Sequence, residues 1–195
     1  MSVQSAESFI LDFEVNVPGG ASAYRLEWER PDKVYMIVTG AESLELAQQG
    51  GQVFVKEPTG PWVEVPEGAA TLPVPDWNQE FGLLLLGEPL ELLDDTIEQG
   101  LPAYHIRAQL SGREYLDAVS QVRNSDFQQN LADAGVDQVH AVVDFFISKQ
   151  DFLPRRQVAT VIVAGGGQQA SLRVEAFYGQ FNEPINFPGD LPLTN

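Results

Sequence analysis

Apolar side chains recur at every second position along most of this chain. Phe9, Leu11, Phe13, Val15 and Val17 alternate with a set that includes Asp12, Glu14 and Asn16. Tyr24, Leu26 and Trp28 alternate with Arg25, Glu27 and Glu29. Later stretches repeat the pattern: Ala103 to Leu110, then Val139, Ala141, Val143, Phe145 and Ile147, then Leu172, Val174, Ala176 and Tyr178. A period of two is that of a strand with one buried and one wet face. Turn chemistry separates the runs, in Pro18-Gly19-Gly20, Gly50-Gly51, Pro58-Thr59-Gly60-Pro61 and Gly165-Gly166-Gly167. Strands joined by tight turns with no helix between them make an antiparallel meander, not a βαβ wind.

The phase of the run from Val34 to Thr39 depends on the turn Arg30-Pro31-Asp32-Lys33. A three-residue loop places Met36 and Val38 on the Trp28 face; two or four residues would place Tyr35 and Ile37 there. We take the first. Two segments break the strand pattern. Asp76 can cap a short helix over about 76–87, apolar nearly all round at Phe81 and Leu83 to Leu86. Ser111-Gly112-Arg113-Glu114 is a capping box for a longer helix over about 112–134, with Tyr115, Leu116, Val119, Val122, Phe127 and Leu131 on its apolar stripe and Gly135 at its end.

The expected fold class is therefore α+β, mainly antiparallel β, in one domain over 1–195, with ten or eleven strands and two helical insertions. A sheet this long must curl, because strands twist and one face needs cover. It closes into a barrel, or stays half open with helices as a partial lid. Either arrangement makes the apolar interior a candidate ligand cavity.

Composition excludes several functions. Lys plus Arg number 11 against 28 Asp plus Glu, a net charge of −17. Nucleic-acid binding needs clustered cations and is not expected, nor is adsorption to an anionic membrane by charge. There is no Cys, which removes disulfides and thiolate chemistry. No apolar run approaches the ~20 residues of a membrane span, and no signal segment is visible.

No catalytic motif is readable: there is no G-x-S-x-G, no H-E-x-x-H and no phosphate-binding glycine loop. An enzyme is not expected, and neither is a cofactor or a metal. His105 and His140 lie on polar strand faces and could meet near Asp144, but solvated strand histidines fit the pattern better. Alternation sends Asp94 and Asp95 to opposite faces, so they cannot act together. Arg155-Arg156 reads as a charged strand start guarding a sheet edge. Arg30 shares the parity of Trp28 and is a candidate for the rim of the cup.

Several segments, taken in order, carry a family resemblance. They are Arg30-Pro31-Asp32-Lys33-Val34; Gly51-Gln52-Val53-Phe54-Val55 leading to Trp62; Gly100-Leu101-Pro102-Ala103-Tyr104-His105-Ile106; Phe146-Ile147-Ser148-Lys149-Gln150-Asp151-Phe152-Leu153-Pro154-Arg155-Arg156; and Phe181-Asn182-Glu183-Pro184-Ile185. In these, the chain resembles the mycobacterial-type envelope lipoproteins LppX and LprG, and more distantly the lipoprotein carriers LolA and LolB. It departs from the pattern at Ser148, where the family has Asp, and in lacking the Cys that carries the lipid anchor.

The resemblance implies a strongly curved half-barrel with the helical insertions over its concave face, holding acyl chains and carrying or presenting a lipid or lipoprotein. It also implies export to the cell envelope, in the periplasm or on the outer face of the membrane. An N-terminal lipid anchor would then sit on a Cys upstream of this chain. On composition alone the apolar stripe reads as core. The resemblance makes it the wall of a lipid cavity: Leu11, Phe13, Val15, Tyr24, Leu26, Trp28, Met36, Val38, Leu84, Tyr104, Ile106, Val119, Val122, Val143, Phe145, Leu172, Val174 and Tyr178, with Arg30 at the rim. A dry cup suffices to hold lipid, since about fourteen buried methylenes contribute roughly 11 kcal/mol before ordering costs. The expected partners are a lipid or acylated ligand and an envelope protein, with the chain itself a monomer. The alternative is an interaction or sensor module on the same fold, its cup filled by its own side chains and no lipid carried.

Overall fold

Two hairpin turns show how local chemistry sets the meander. Gln49 pairs with Gln52 around Gly50 and Gly51, whose φ angles are +61° and +79°. A two-residue hairpin of this hand needs positive φ at both central residues, which glycine adopts without steric cost. Glu98 pairs with Leu101 around Gln99 and Gly100, at +51° and +79°. Gln99 accepts the left-handed conformation here and anchors itself by donating from its side-chain amide to the Arg155 carbonyl at 3.0 Å.

The computed structural model describes residues 6–17, 20–40, 43–66, 68, 72, 89–111, 138–165 and 167–193. Among these residues the strands are β1 (Ser8–Val17), β2 (Gly20–Glu29), β3 (Lys33–Thr39), β4 (Leu44–Gln49), β5 (Gln52–Lys56), β6 (Val63–Glu64), β7 (Leu90–Glu98), β8 (Leu101–Ser111), β9 (Gln138–Ser148), β10 (Pro154–Gly165) and β11 (Gln168–Gly179). They form one 11-stranded antiparallel sheet in the order β6-β5-β4-β3-β2-β1-β11-β10-β9-β8-β7. The order is that of an open sheet with β6 and β7 at its ends, so the closed-barrel version of the expectation does not hold. Both predicted helices, about 76–87 and 112–134, lie outside the described residues, and Leu84, Val119 and Val122 lie there with them.

The chain divides into two compact units: Met1–Val3, Val15–Gly20 and Asp76–Glu175 form one, and Gln4–Glu14, Ala21–Pro75 and Ala176–Asn195 the other. In the second unit, Glu29 pairs with Lys33 across the three residues Arg30 to Asp32. That loop length sets the phase. Leu26 stands opposite Met36, Met36 opposite Leu46 and Leu46 opposite Val55, so Met36 and Val38 share a face with Trp28. On the other face Glu27, Tyr35, Ala47 and Phe54 follow one another across the same strands.

That second face is not wet. Tyr35, Ala47, Phe54 and Trp62 form a buried cluster, with Ile37, Phe187 and Leu191 packed against it. The C-terminal segment after β11 supplies the cover. Asn182 donates its amide to the Ser8 carbonyl at 2.9 Å, and Ser8 Oγ donates to the Glu183 carbonyl at 2.6 Å. Trp62 Nε1 donates to Asp190 at 3.2 Å.

In the first unit, the core consists of Ala108, Leu110, Ala141, Val143, Phe145 and Val161, with Ile106, Val139, Ala159, Val163 and Leu172 against it. Register explains the grouping: Ala108 faces Val143, Val143 faces Ala159, and Leu110 faces Ala141. Alanines opposite larger residues let the layer fill without voids. The end strand β7 has a bulge between Leu93 and Thr96. The expected alternation of Asp94 and Asp95 therefore fails, because an irregular stretch does not send successive side chains to opposite faces. Asp95 instead pairs with Lys149. Bulging one end strand and shortening the other to two residues both discourage edge-to-edge pairing.

Candidate functional site

The apolar face of the second unit is built from β1 to β5. Phe13 stacks on Tyr24 with ring centroids 4.6 Å apart, and Phe9 lies 5.2 Å from Trp28. These ring pairs put the odd-numbered residues of β1, Leu11 included, on the face of Tyr24, Leu26 and Trp28. Burial then divides the candidates. Leu26 (2% exposed) and Leu11 (8%) are closed in by the protein's own atoms, and so is Tyr178 (4%). Phe13, Tyr24, Trp28, Met36 and Val38 are half-buried and keep surface to offer. In the first unit, Val143 and Phe145 are core, while Val15, Tyr104, Ile106, Leu172 and Val174 are half-buried. On the face of Ile106 and Ala108, β7 adds Leu90 and Leu92, both exposed.

Trp28 carries a second property. Its Nε1 is buried, and among the described residues no group accepts from it. An unanswered buried donor costs about 1–3 kcal/mol. Arg30 stands beside it, the guanidinium carbon 5.8 Å from the ring centroid, and donates Nε to the Ala6 carbonyl at 2.9 Å. This places Arg30 at the end of the Trp28 strand, on an exposed turn.

A groove of about 400 Å³ lies in the same unit, lined by Asp12, Arg25, Ile37, Thr39 and Phe177 among others. Arg25 faces Ile37, and Ala23 faces Thr39, in the register opposite to Leu26 and Met36. The groove is thus lined chiefly from the polar parity of the strands, and Phe13 and Tyr24, two candidates read from the sequence, line it as well. Its signal was the second apolar parity of Tyr35 and Ile37.

The polar face of the first unit holds the charged groups. Asp144 receives Arg107 Nε at 2.8 Å and sits 2.8 Å from His105 Nε2. Burial acts to raise the Asp144 carboxyl, but the hydrogen bonds and charge of Arg107 and His105 outweigh it and hold the group below the usual carboxylate range. His105 also stacks on Phe146, centroids 4.4 Å apart, and Arg156 lies over the same ring. His105 is thus packed and paired, not simply solvated. His140 is exposed and pairs with Ser111, six residues along β8 from His105, so the two histidines do not meet. Among the described residues no group of three or more His, Cys, Asp or Glu could hold a metal.

The Arg155-Arg156 reading also needs correction. β10 lies between β9 and β11 and guards no edge. Arg155 is buried against Asp151, and Arg156 pairs with Glu98 and Glu175. Which strand is terminal depends on long-range order that a local doublet does not encode.

The whole described sheet aligns with two solved structures. The first is the Mycobacterium tuberculosis lipoprotein LppX, with a TM-score of 0.58, 12% identity, and coverage of 95% of this chain and 91% of that one. This chain has the LppX-type fold. LprF from Mycobacterium bovis aligns similarly, with a TM-score of 0.56, 10% identity, and coverage of 96% and 90%. No family model matches the chain, and no curated protein does. The LppX-type fold is therefore carried by strand order and register, with few shared residues. No helix among the described residues is long and apolar enough to cross a membrane.

Proposed function

We propose that this protein is a lipid-binding component of a cell envelope that holds acyl chains against the apolar face of its sheet and carries or presents them. The observation that carries the reading is the half-buried row Phe13, Tyr24, Trp28, Met36 and Val38, an apolar surface not closed by its own core. The LppX-type fold supports it, since LppX is named a lipoprotein. In this reading the sheet curls as a half-barrel. The chain then works as one domain and a monomer, exported and tethered by a lipid on an upstream Cys. Binding, not catalysis, is its activity. Organic extraction of protein purified from its native host, followed by mass spectrometry, tests it. The expected result is a co-purifying acyl lipid and uptake of fluorescent acyl probes by the emptied protein. No lipid and no uptake would overturn it.

The groove lined by Asp12, Arg25, Ile37, Thr39 and Phe177 favours a second reading, a module that binds another envelope protein without carrying lipid. Phe177→Ser separates the two. It should abolish partner capture in the second reading and leave acyl-probe uptake unchanged in the first.

A further inference from the structure

The groove of the second unit and the C-terminal segment share one face of the same strands. The segment crosses that face at Ser8 on β1, Glu27 on β2 and Tyr35 on β3. Asp12, Arg25 and Ile37 line the groove. They stand four, two and two residues farther along those strands, hence on the same face and about 7–13 Å away. Two residues join the halves. Ile37 lines the groove and also packs against the cluster that Phe187 covers. Arg25 donates Nε to Glu27, which accepts the Asn186 amide, and another nitrogen to Asp12 in the groove at 3.2 Å. The covered half shows what this face accepts: a chain segment that lays a ring on the apolar residues and brings a donor to a carboxylate. The open half repeats those features. Its floor has Ile37 and Phe177, the latter 39% exposed, and Asp12 and Glu14 are both exposed. Two carboxylates and one guanidinium line it, and Glu27 shares that guanidinium, so the groove is net negative in a chain of charge −17.

We infer that the groove seats a second chain segment beside the C-terminal one: an extended stretch of a partner protein with an aromatic or branched aliphatic side chain on Ile37 and Phe177 and a Lys or Arg toward Asp12 and Glu14. This rests on the protein-binding reading of the groove and narrows it to a partner chemistry. Such a stretch crosses β3, β2, β1 and β11, three steps of about 4.8 Å, which four or five extended residues span. The apolar side chain supplies the affinity by leaving water, and the cation selects among apolar segments by charge.

The test pans a phage library of random heptapeptides on the full chain, after depletion on Ala23→Trp, which fills the groove from an exposed lining position. Retained peptides should carry an aromatic or branched aliphatic residue with Lys or Arg within two positions. Made synthetically, they should bind about tenfold more weakly to Phe177→Ser and about fivefold more weakly to Glu14→Lys. Replacing their cation by Glu should reverse the second preference, so that Glu14→Lys binds better than the wild type. Peptides that need Phe177 but show no excess of cations, or no reversal, overturn the inference and leave the protein-binding reading standing. Absence of any peptide that distinguishes the wild type from Ala23→Trp overturns both. Displacement of the peptides by palmitate would make the groove an acyl site and overturn the inference as well. Ala23 and Glu14 are exposed, so if Phe177→Ser fails to fold, the other two variants decide.

Discussion

The backbone amide of Asn186 donates to Glu27 Oε2 at 2.6 Å. Glu27 is 2% exposed, on a strand whose alternation marks it for solvent. Its other oxygen accepts from Arg25 Nε at 2.9 Å. The C-terminal segment thus closes over a carboxylate that is held by one guanidinium and one backbone amide. Removing the carboxylate leaves the Asn186 amide without its acceptor and Arg25 with Asp12 alone. Glu27→Ala should lower stability by about 2–4 kcal/mol, and Glu27→Gln, which keeps an acceptor for Asn186, by about half as much. Urea unfolding measures both. An alanine variant as stable as the wild type would mean that the segment is held by other contacts.

Those other contacts centre on Phe187, packed with Leu191 against Tyr35, Phe54 and Trp62 and lying under Lys33. Phe187→Ala should cost about 2 kcal/mol, less than a fully buried phenylalanine because this one is half-buried. It should also speed hydrogen exchange at the Asn186 amide. Undiminished protection there would separate the aromatic anchor from the closure over Glu27.

This closure explains what could and could not be read from the chain. Alternation set the strands, and the Arg30 to Asp32 loop set the phase that places Met36 beside Leu26. A clue to the covered second face was also present. Val34-Tyr35-Met36-Ile37-Val38 and Val53-Phe54-Val55 are apolar at both parities, the mark of a strand buried on both sides. What the sequence does not carry locally is the identity of the cover, because Phe187 and Leu191 reach Tyr35 across some 150 residues of chain. The same limit applies to Arg155, buried on an interior strand, and to the separation of His105 from His140, which register alone decides. Trp28 was legible from its parity as a residue of the apolar face. Its unanswered Nε1 was not, since an orphan is defined by what every neighbour lacks.

Asp144 gives a pH dependence with a definite sign. Its folded carboxyl titrates below the ordinary range, burial being outweighed by Arg107 and His105. A carboxylate depressed in this way stabilises the fold fully above its unfolded pKa, and that contribution is lost as pH falls through the folded value. Asp144→Asn should therefore lose about 1 kcal/mol at neutral pH, a modest figure because Arg107 is 37% exposed. The gap to the wild type should narrow below about pH 4. Thermal melts across pH 3 to 7 measure the gap, and a constant difference would contradict this account.

Gly51 and Gly20 make a matched pair, because neither would meet another atom within 4 Å if given a Cβ. Only the backbone differs. Gly51 sits at φ +79°, where an L side chain crowds its own carbonyl, whereas Gly20 opens β2 outside that left-handed region. Gly51→Ala should cost about 1–2 kcal/mol from conformation alone. Gly20→Ala should be neutral, or stabilise by about 0.5 kcal/mol through a less flexible unfolded chain. Equal effects at the two positions, read from denaturant midpoints, would show that the Gln49–Gln52 turn does not require its left-handed geometry, and that the register of β4 on β5 is set by the Leu46–Val55 and Ala47–Phe54 pairs instead.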